Sequence, residues 1–224
     1  MLSTALQLNR HGAALLPIQL PADLITELRT RSDHLLADGH AARHALTRDR
    51  ELWSSLATYL VPWLHTLIGP SAQPVRGLVF DKTPQANWAV PWHQDLTVAM
   101  REQHDHPDFG PWSRKADGMH AHAPVALLRR MLALRIHLDD AGSDNGALRI
   151  IPGSHQRGLM SGDQLRASAR HGVDLPAQAG QVIAMRPLLA HASRPSQRPQ
   201  HRRVIHIECA GETLPPPLQW LEAA

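Results

Sequence analysis

The chain has 224 residues, 43% of them hydrophobic and 19% charged, with a formal net charge of +3. That describes one folded domain with a substantial core and excludes a disordered or strongly polyionic chain. The basic residues are mostly arginine, Lys82 and Lys115 being the only lysines, and no Lys/Arg block resembles a nucleic-acid-binding tail.

Taken from the start, Met1 to Arg10 lacks a basic region followed by an apolar run, so no signal peptide is expected. Residues 11–20 read as a short strand. Pro21-Ala22-Asp23 then opens a helix with Leu24, Ile25, Leu28, Leu35 and Leu36 as its apolar stripe. A second helix is predicted from Glu51 to Ile68, where Trp53, Leu56, Leu60, Trp63, Leu64 and Leu67 recur at spacings of three and four. Its apolar part, Leu56 to Ile68, is too short to cross a bilayer, so no membrane span is expected. Gly69-Pro70 stops this helix.

From Val75 the pattern changes to period two. Strands are predicted at Val75–Phe80, about 88–98, Met131–Asp139, Ala147–Ile151, Gln181–Met185 and Arg202–Cys209. Asn145-Gly146 marks a tight turn before the fourth of these. Helices followed by a run of short strands predict a mainly β fold with flanking helices, a sandwich or jelly roll. The whole chain is read as a single domain, with N-terminal helices at about 21–68 and a β core at about 75–210. Between about 99 and 130 the strand signal lapses, and the segment is rich in His and Pro. An insert this long inside a compact domain suggests an active-site lid as readily as a surface loop. Its arginines and histidines would suit an anionic small molecule. A single cysteine, Cys209, permits no internal disulfide and fits a reducing compartment, so a cytoplasmic location is expected.

The segment Trp88-Ala89-Val90-Pro91-Trp92-His93-Gln94-Asp95 carries the first chemical signal. On a strand, residues i and i+2 share a face, so His93 and Asp95 could grip one metal ion. Two histidines and one carboxylate on one face of a metal, with the other positions open, suit non-haem Fe(II). With sixteen histidines in the chain, however, a bare His-x-Asp triplet is weak evidence. Two more exist, His106/Asp108 in the proline-broken loop and His137/Asp139 at a strand end. Position favours His93/Asp95, which lies on a strand ahead of the insert. His191 is the candidate third ligand. Ser193 follows it by two residues and Arg202 by eleven. On the last strand Arg202, Val204, His206 and Glu208 share a polar face, as a cavity lining would, although a solvent face would read the same way.

These residues resemble the phytanoyl-CoA dioxygenase-like family of Fe(II)/2-oxoglutarate-dependent oxygenases. The likeness runs from about His11 to Cys209. It rests on HGAALLPIQLPADLITELR, on DKTPQANWAVPWHQD, on LDDAGSDNGALRIIPGSHQRG, and on His191 with Ser193 and Arg202. The resemblance implies a double-stranded β-helix (jelly roll, cupin-like) core. It implies Fe(II) held by His93, Asp95 and His191, with 2-oxoglutarate and O2 as cosubstrates. Arg202 then matches the arginine for the far carboxylate of 2-oxoglutarate, helped by Ser193, and Arg135 an inward position near it. Arg203 replaces Arg202 if the register slips by one.

The implied reaction is hydroxylation of a small molecule, with release of succinate and CO2. A carboxylate at Asp95, rather than a Gly or Ala, favours hydroxylation over halogenation. Trp88, Trp92 and Trp112 are candidate substrate-pocket residues. A cupin-like metal protein that does not use 2-oxoglutarate, or a non-catalytic binding or regulatory module, is the competing reading. No nucleic-acid or membrane partner is expected, and the sequence does not set the oligomeric state.

Overall fold

In the computed structural model, which describes residues 2–197 and 200–222, two antiparallel sheets face each other across a cavity, and helices cover the outer side of the larger one. The elements in order are α1 (Leu2–His11), β1 (Ala13–Gln19), α2 (Ala22–Leu35), β2 (Ala41–Arg43), α3 (Ala45–Arg48), α4 (Arg50–Ile68) and β3 (Gln73–Lys82). Next come β4 (Val90–His93), β5 (Thr97–Met100), β6 (Trp112–Lys115), β7 (Gly118–His122), α5 (Val125–Arg129), β8 (Met131–His137) and β9 (Leu148–Ile150). The chain ends with α6 (Gly162–Ser168), β10 (Val173–Leu175), β11 (Gln181–Met185), β12 (His191–Ser193) and β13 (Arg202–Ala210).

The larger sheet has the order β1-β11-β8-β13-β3-β2 and the smaller one β10-β9-β12-β4. This is the double-stranded β-helix expected from the sequence. The β core reaches back beyond residue 75, because β1 and β2 also pair into the larger sheet.

Alternation along the central strands sorts side chains into two layers. Leu132, Leu134, Ile136 and Leu138, together with Ile205, Ile207 and Cys209, pack outward against the helices. Arg135, Arg202, His206 and Glu208 line the cavity. In α4 the buried stripe is Leu52, Leu56, Leu60, Leu64 and Ile68, a run of i,i+4 positions. Trp53, Trp63 and Leu67 flank it, partly buried. The Asp49 carboxylate caps this helix by accepting from the Glu51 and Leu52 N–H groups.

Three expectations change. The strand expected at 88–98 is two strands, and Asp95 lies in the break between β4 and β5. There the chain bonds to a loop instead of a neighbouring strand: the Asp95 N–H donates to the Pro187 carbonyl at 2.9 Å. The segment 99–130 is folded, as β6, β7 and α5, with β6 and β7 completing a three-stranded sheet with β5. Its strands are short and partly exposed, which weakens the alternation. None of its residues is among those lining the cavity. The helix α1 adds an element before the first expected strand.

Candidate metal centre and its cavity

The smaller sheet brings the two histidines together. His191 on β12 pairs directly with His93 on β4, and their rings lie 4.1 Å apart between centroids. Asp95, just past the end of β4, turns its carboxylate between them. His93 Nε2 is 3.7 Å from Asp95 Oδ1, and His191 Nε2 is 3.7 Å from Asp95 Oδ2. One potential ligand atom from each residue lies within 4.8 Å of the others, and this is the one such cluster of three or more among the described residues. A separation of 3.7 Å is too long for a hydrogen bond. It is within the span of two metal bonds of about 2 Å each.

The backbone fixes which nitrogen each ring offers. His93 Nδ1 lies 2.8 Å from the Pro91 carbonyl, and His191 Nδ1 lies 2.9 Å from that of Leu189. A carbonyl only accepts, so each Nδ1 carries the proton and each Nε2 turns a lone pair toward Asp95. Burial pushes His191 down to about 4, against the opposing pull of Asp95. Burial acts to raise Asp95, but its neighbours His191, His206, His93 and Arg135 hold it below the usual carboxylate range. Two Nε2 atoms beside an ionised carboxylate make the donor set of a divalent metal site.

The cluster opens into a cavity of about 160 Å³ between the sheets. At one end the β3–β13 register sets Lys82 against Arg202. Lys82 Nζ donates to Ser193 Oγ at 2.9 Å and to the Arg194 carbonyl at 2.8 Å. Arg202 is 3% exposed, yet its Nε and Nη1, like Nε of Arg135, meet no hydrogen-bond partner. Buried guanidinium donors without partners are costly, and a dicarboxylate is the kind of group that would satisfy them. Burial, with Arg202 and Arg135 nearby, lowers Lys82 to about 7. Burial lowers Arg202 and Arg135 each to about 10.

The remaining sequence candidates separate clearly. Arg203, the out-of-register alternative, points the other way and bonds Asp139 and Asp33. That interaction also occupies Asp139 of the rival triplet. His137 is wholly buried and both its ring nitrogens lack partners. Trp88 lines the cavity, with Lys82 Nζ 5.6 Å from its ring centroid. Trp92 does not; it packs beside Ile151, Met160 and Ala190, under the Arg149 guanidinium. Trp112 does not either, since it sits on the three-stranded sheet against a separate apolar cluster. Pro91 separates Val90 from Trp92 along an irregular edge, so a shared stretch of sequence does not mean a shared face.

One residue of the site, Lys82, escapes the motif reading, whereas His206 lies on the polar face that the alternation of the last strand marks out. Lys82 could be noticed only as a rare lysine at the end of an apolar strand, because its pairing with Arg202 is long-range. His206 takes a hydrogen bond at 3.2 Å from Arg135 Nη1 to its Nδ1, and burial beside Arg135 pushes it down to about 3.

A sequence model of the phytanoyl-CoA dioxygenase (PhyH) family matches residues 8–204. A search of curated protein sequences finds no match. Among solved structures, EctD from S. alaskensis with 2-oxoglutarate and 5-hydroxyectoine superposes with a TM-score of 0.75 at 18% identity, over 100% of this chain and 83% of that one. AviO1 from Streptomyces viridochromogenes gives 0.68 at 23% identity, over 96% of both chains. The epimerase SnoN in complex with Fe3+, alpha ketoglutarate and nogalamycin RO gives 0.69 at 18% identity, over 93% of this chain and 82% of that one. At these identities the likeness establishes the fold. Among the described residues no helix is long and apolar enough to cross a membrane.

Proposed function

The chain belongs to the phytanoyl-CoA dioxygenase family and is a dioxygenase, and from that premise we propose that it uses Fe(II), 2-oxoglutarate and O2 to hydroxylate a small molecule in the cytoplasm. One observation carries the reading. Two Nε2 lone pairs and a carboxylate converge beside a cavity whose far end holds buried guanidinium donors without partners.

His93, Asp95 and His191 are the residues that would hold the iron. Arg202 and Lys82 would take the far carboxylate of 2-oxoglutarate, with Ser193 positioned by its bond to Lys82. Arg135, hydrogen-bonded to His206, would face the cosubstrate nearer the metal. The chemistry supplied when these groups are bound is oxidative decarboxylation of 2-oxoglutarate to succinate and CO2, coupled to C–H hydroxylation. The protein's own part is to orient the reactants and to keep water from the cavity. SnoN and EctD, which share this fold, are described with iron or 2-oxoglutarate in their structures. A cupin-like protein that does not use 2-oxoglutarate would leave Arg202, Arg135 and Lys82 facing one cavity with no anion to compensate them.

The test is anaerobic addition of Fe(II) and 2-oxoglutarate to purified protein. A weak visible charge-transfer band is expected, absent in His93→Ala and Asp95→Ala, followed by succinate formation on admitting air. Protein that takes up Fe(II) but gives neither band nor succinate refutes the reading.

A further inference from the structure

The cavity has two chemically unlike ends, and strand register sets them. Along β13, Arg202 pairs with Lys82, His206 with Leu78 and Arg135, and Glu208 with Arg76. Arg202 and Glu208 share one face, roughly 20 Å apart at the usual rise per strand residue. His206 lies between them. In the dioxygenase reading the Arg202 end is taken by 2-oxoglutarate. The Glu208 end has no part in that chemistry.

At that end one guanidinium is shared by two carboxylates. Arg76 Nη1 donates to Glu208 Oε1 at 2.7 Å, and Arg76 Nε and Nη2 donate to Asp117 Oδ2 at 3.0 and 2.5 Å. Asp117 is buried and also bonds His120, whose Nε2 is 3.1 Å from Oδ1. Arg43 approaches Asp117 to 3.9 Å from the exposed side. Lys115 is exposed and donates to Thr97 Oγ1. Neither Arg43 nor Lys115 bonds Glu208. Both Glu208 and Arg76 line the cavity, but the donors of Arg76 are turned to its carboxylates. Glu208 Oε2 receives no hydrogen bond from the described residues. Glu208 and Asp95 also border one small adjoining recess, which puts this carboxylate beside the candidate ligand cluster.

We propose that Glu208, held in place by Arg76 and Asp117, anchors the primary substrate through a protonated amine. The protein is thereby an oxygenase of small amine-bearing molecules. This rests on the dioxygenase reading and names the substrate class for the same site. Arg43 accompanies Asp117, while Glu208 keeps one oxygen without a donor in the cavity lining. Burial raises Glu208 to about 7 despite Arg76, and a cation placed there would hold it in its charged form. A carboxylate-bearing substrate is repelled there. A hydroxyl bonds without compensating the charge. An ammonium does both, and charge-assisted hydrogen bonds are the stronger kind. Leu78 and Phe80 give the hydrocarbon part of such a molecule an apolar wall. The anionic substrate suggested by the composition of 99–130 loses its basis, because that segment lies outside the cavity lining.

The experiment uses Zn(II)-loaded protein with 2-oxoglutarate and ligand-observed NMR. The probes are cyclohexylamine, cyclohexanol and cyclohexanecarboxylate, matched in shape. Wild-type protein should bind the amine about tenfold or more tightly than the other two, the usual effect of a hydrogen bond to a charged group. Glu208→Gln should erase that preference while 2-oxoglutarate still binds. Equal or better binding of the alcohol or the carboxylate overturns the proposal. So does an amine preference that survives in Glu208→Gln. If that variant loses 2-oxoglutarate binding, and so is misfolded, the wild-type ranking decides alone. Failure of wild-type protein to bind 2-oxoglutarate strikes instead at the dioxygenase reading.

Discussion

Arg202 and Lys82 occupy one rung of the β3–β13 ladder but differ in what pH does to them. Arg202 stays charged at any ordinary pH, so its loss removes a cation and a fork of donors. Arg202→Ala is expected to weaken 2-oxoglutarate binding by roughly 2–5 kcal/mol, the range for truncating one partner of a buried charge pair. Calorimetry should show Fe(II) uptake little changed; equal loss of both would indicate a folding defect. Lys82, brought to about 7 by burial and by its arginine neighbours, is charged in the free pocket only below that pH. An anion binds the protonated form better, so above pH 7 binding must take up a proton. Affinity for 2-oxoglutarate should therefore fall as pH rises through 7, by up to about tenfold per unit. Lys82→Arg should flatten that slope, and titrations at several pH values will show whether it does.

At the scale of elements, periodic signals were legible and irregular ones were not. The stripe in α4 and the alternation in β8 and β13 announce themselves because one face of each meets a continuous apolar layer. Leu60 is the centre of the α4 stripe and fully buried. Leu60→Ala should cost about 2–5 kcal/mol, as core truncations of this kind do, read as a lower denaturant midpoint with an unchanged slope. The break after His93 was not legible, since the hydrogen bonds that make it come from Pro187, Gly158 and Leu188, distant in sequence. The same holds for β6 and β7, whose polar residues give little period to detect. In the site, His93, Asp95, His191, Ser193 and Arg202 follow from spacing and family likeness. His206 and Glu208 follow from the alternation of the last strand, but that Lys82 and Arg76 stand opposite it depends on strand pairing, which one sequence does not encode in readable form. Trp92 and Trp112 pack against apolar clusters and are not among the residues lining the cavity, because an aromatic residue's place in the sequence does not fix its face.

For the whole molecule, the candidate centre ties the smaller sheet together, because its three residues come from β4, the loop after it and β12. A metal that binds only the folded state adds RT ln(1 + [L]/Kd), about 2.7 kcal/mol at a hundredfold excess over Kd. Thermal melts should therefore shift upward with Fe(II) or Zn(II) under anaerobic conditions and back with a chelator. His93→Ala should abolish the shift while leaving the metal-free melt close to that of wild type.

Gln94 sits in the chain between His93 and Asp95 and is 8% exposed. Its Nε2 donates to the Gly158 and Leu188 carbonyls at 2.8 and 2.6 Å, and its Oε1 accepts from the Met160 N–H at 2.8 Å. The short link from His93 to Asp95 is thus moored to two separate loops before any ion arrives. Little ordering is left for the metal to impose, so uptake should be governed by how fast the ion sheds its water. The site would then act as a rigid socket, and the free energy of holding its shape belongs to folding.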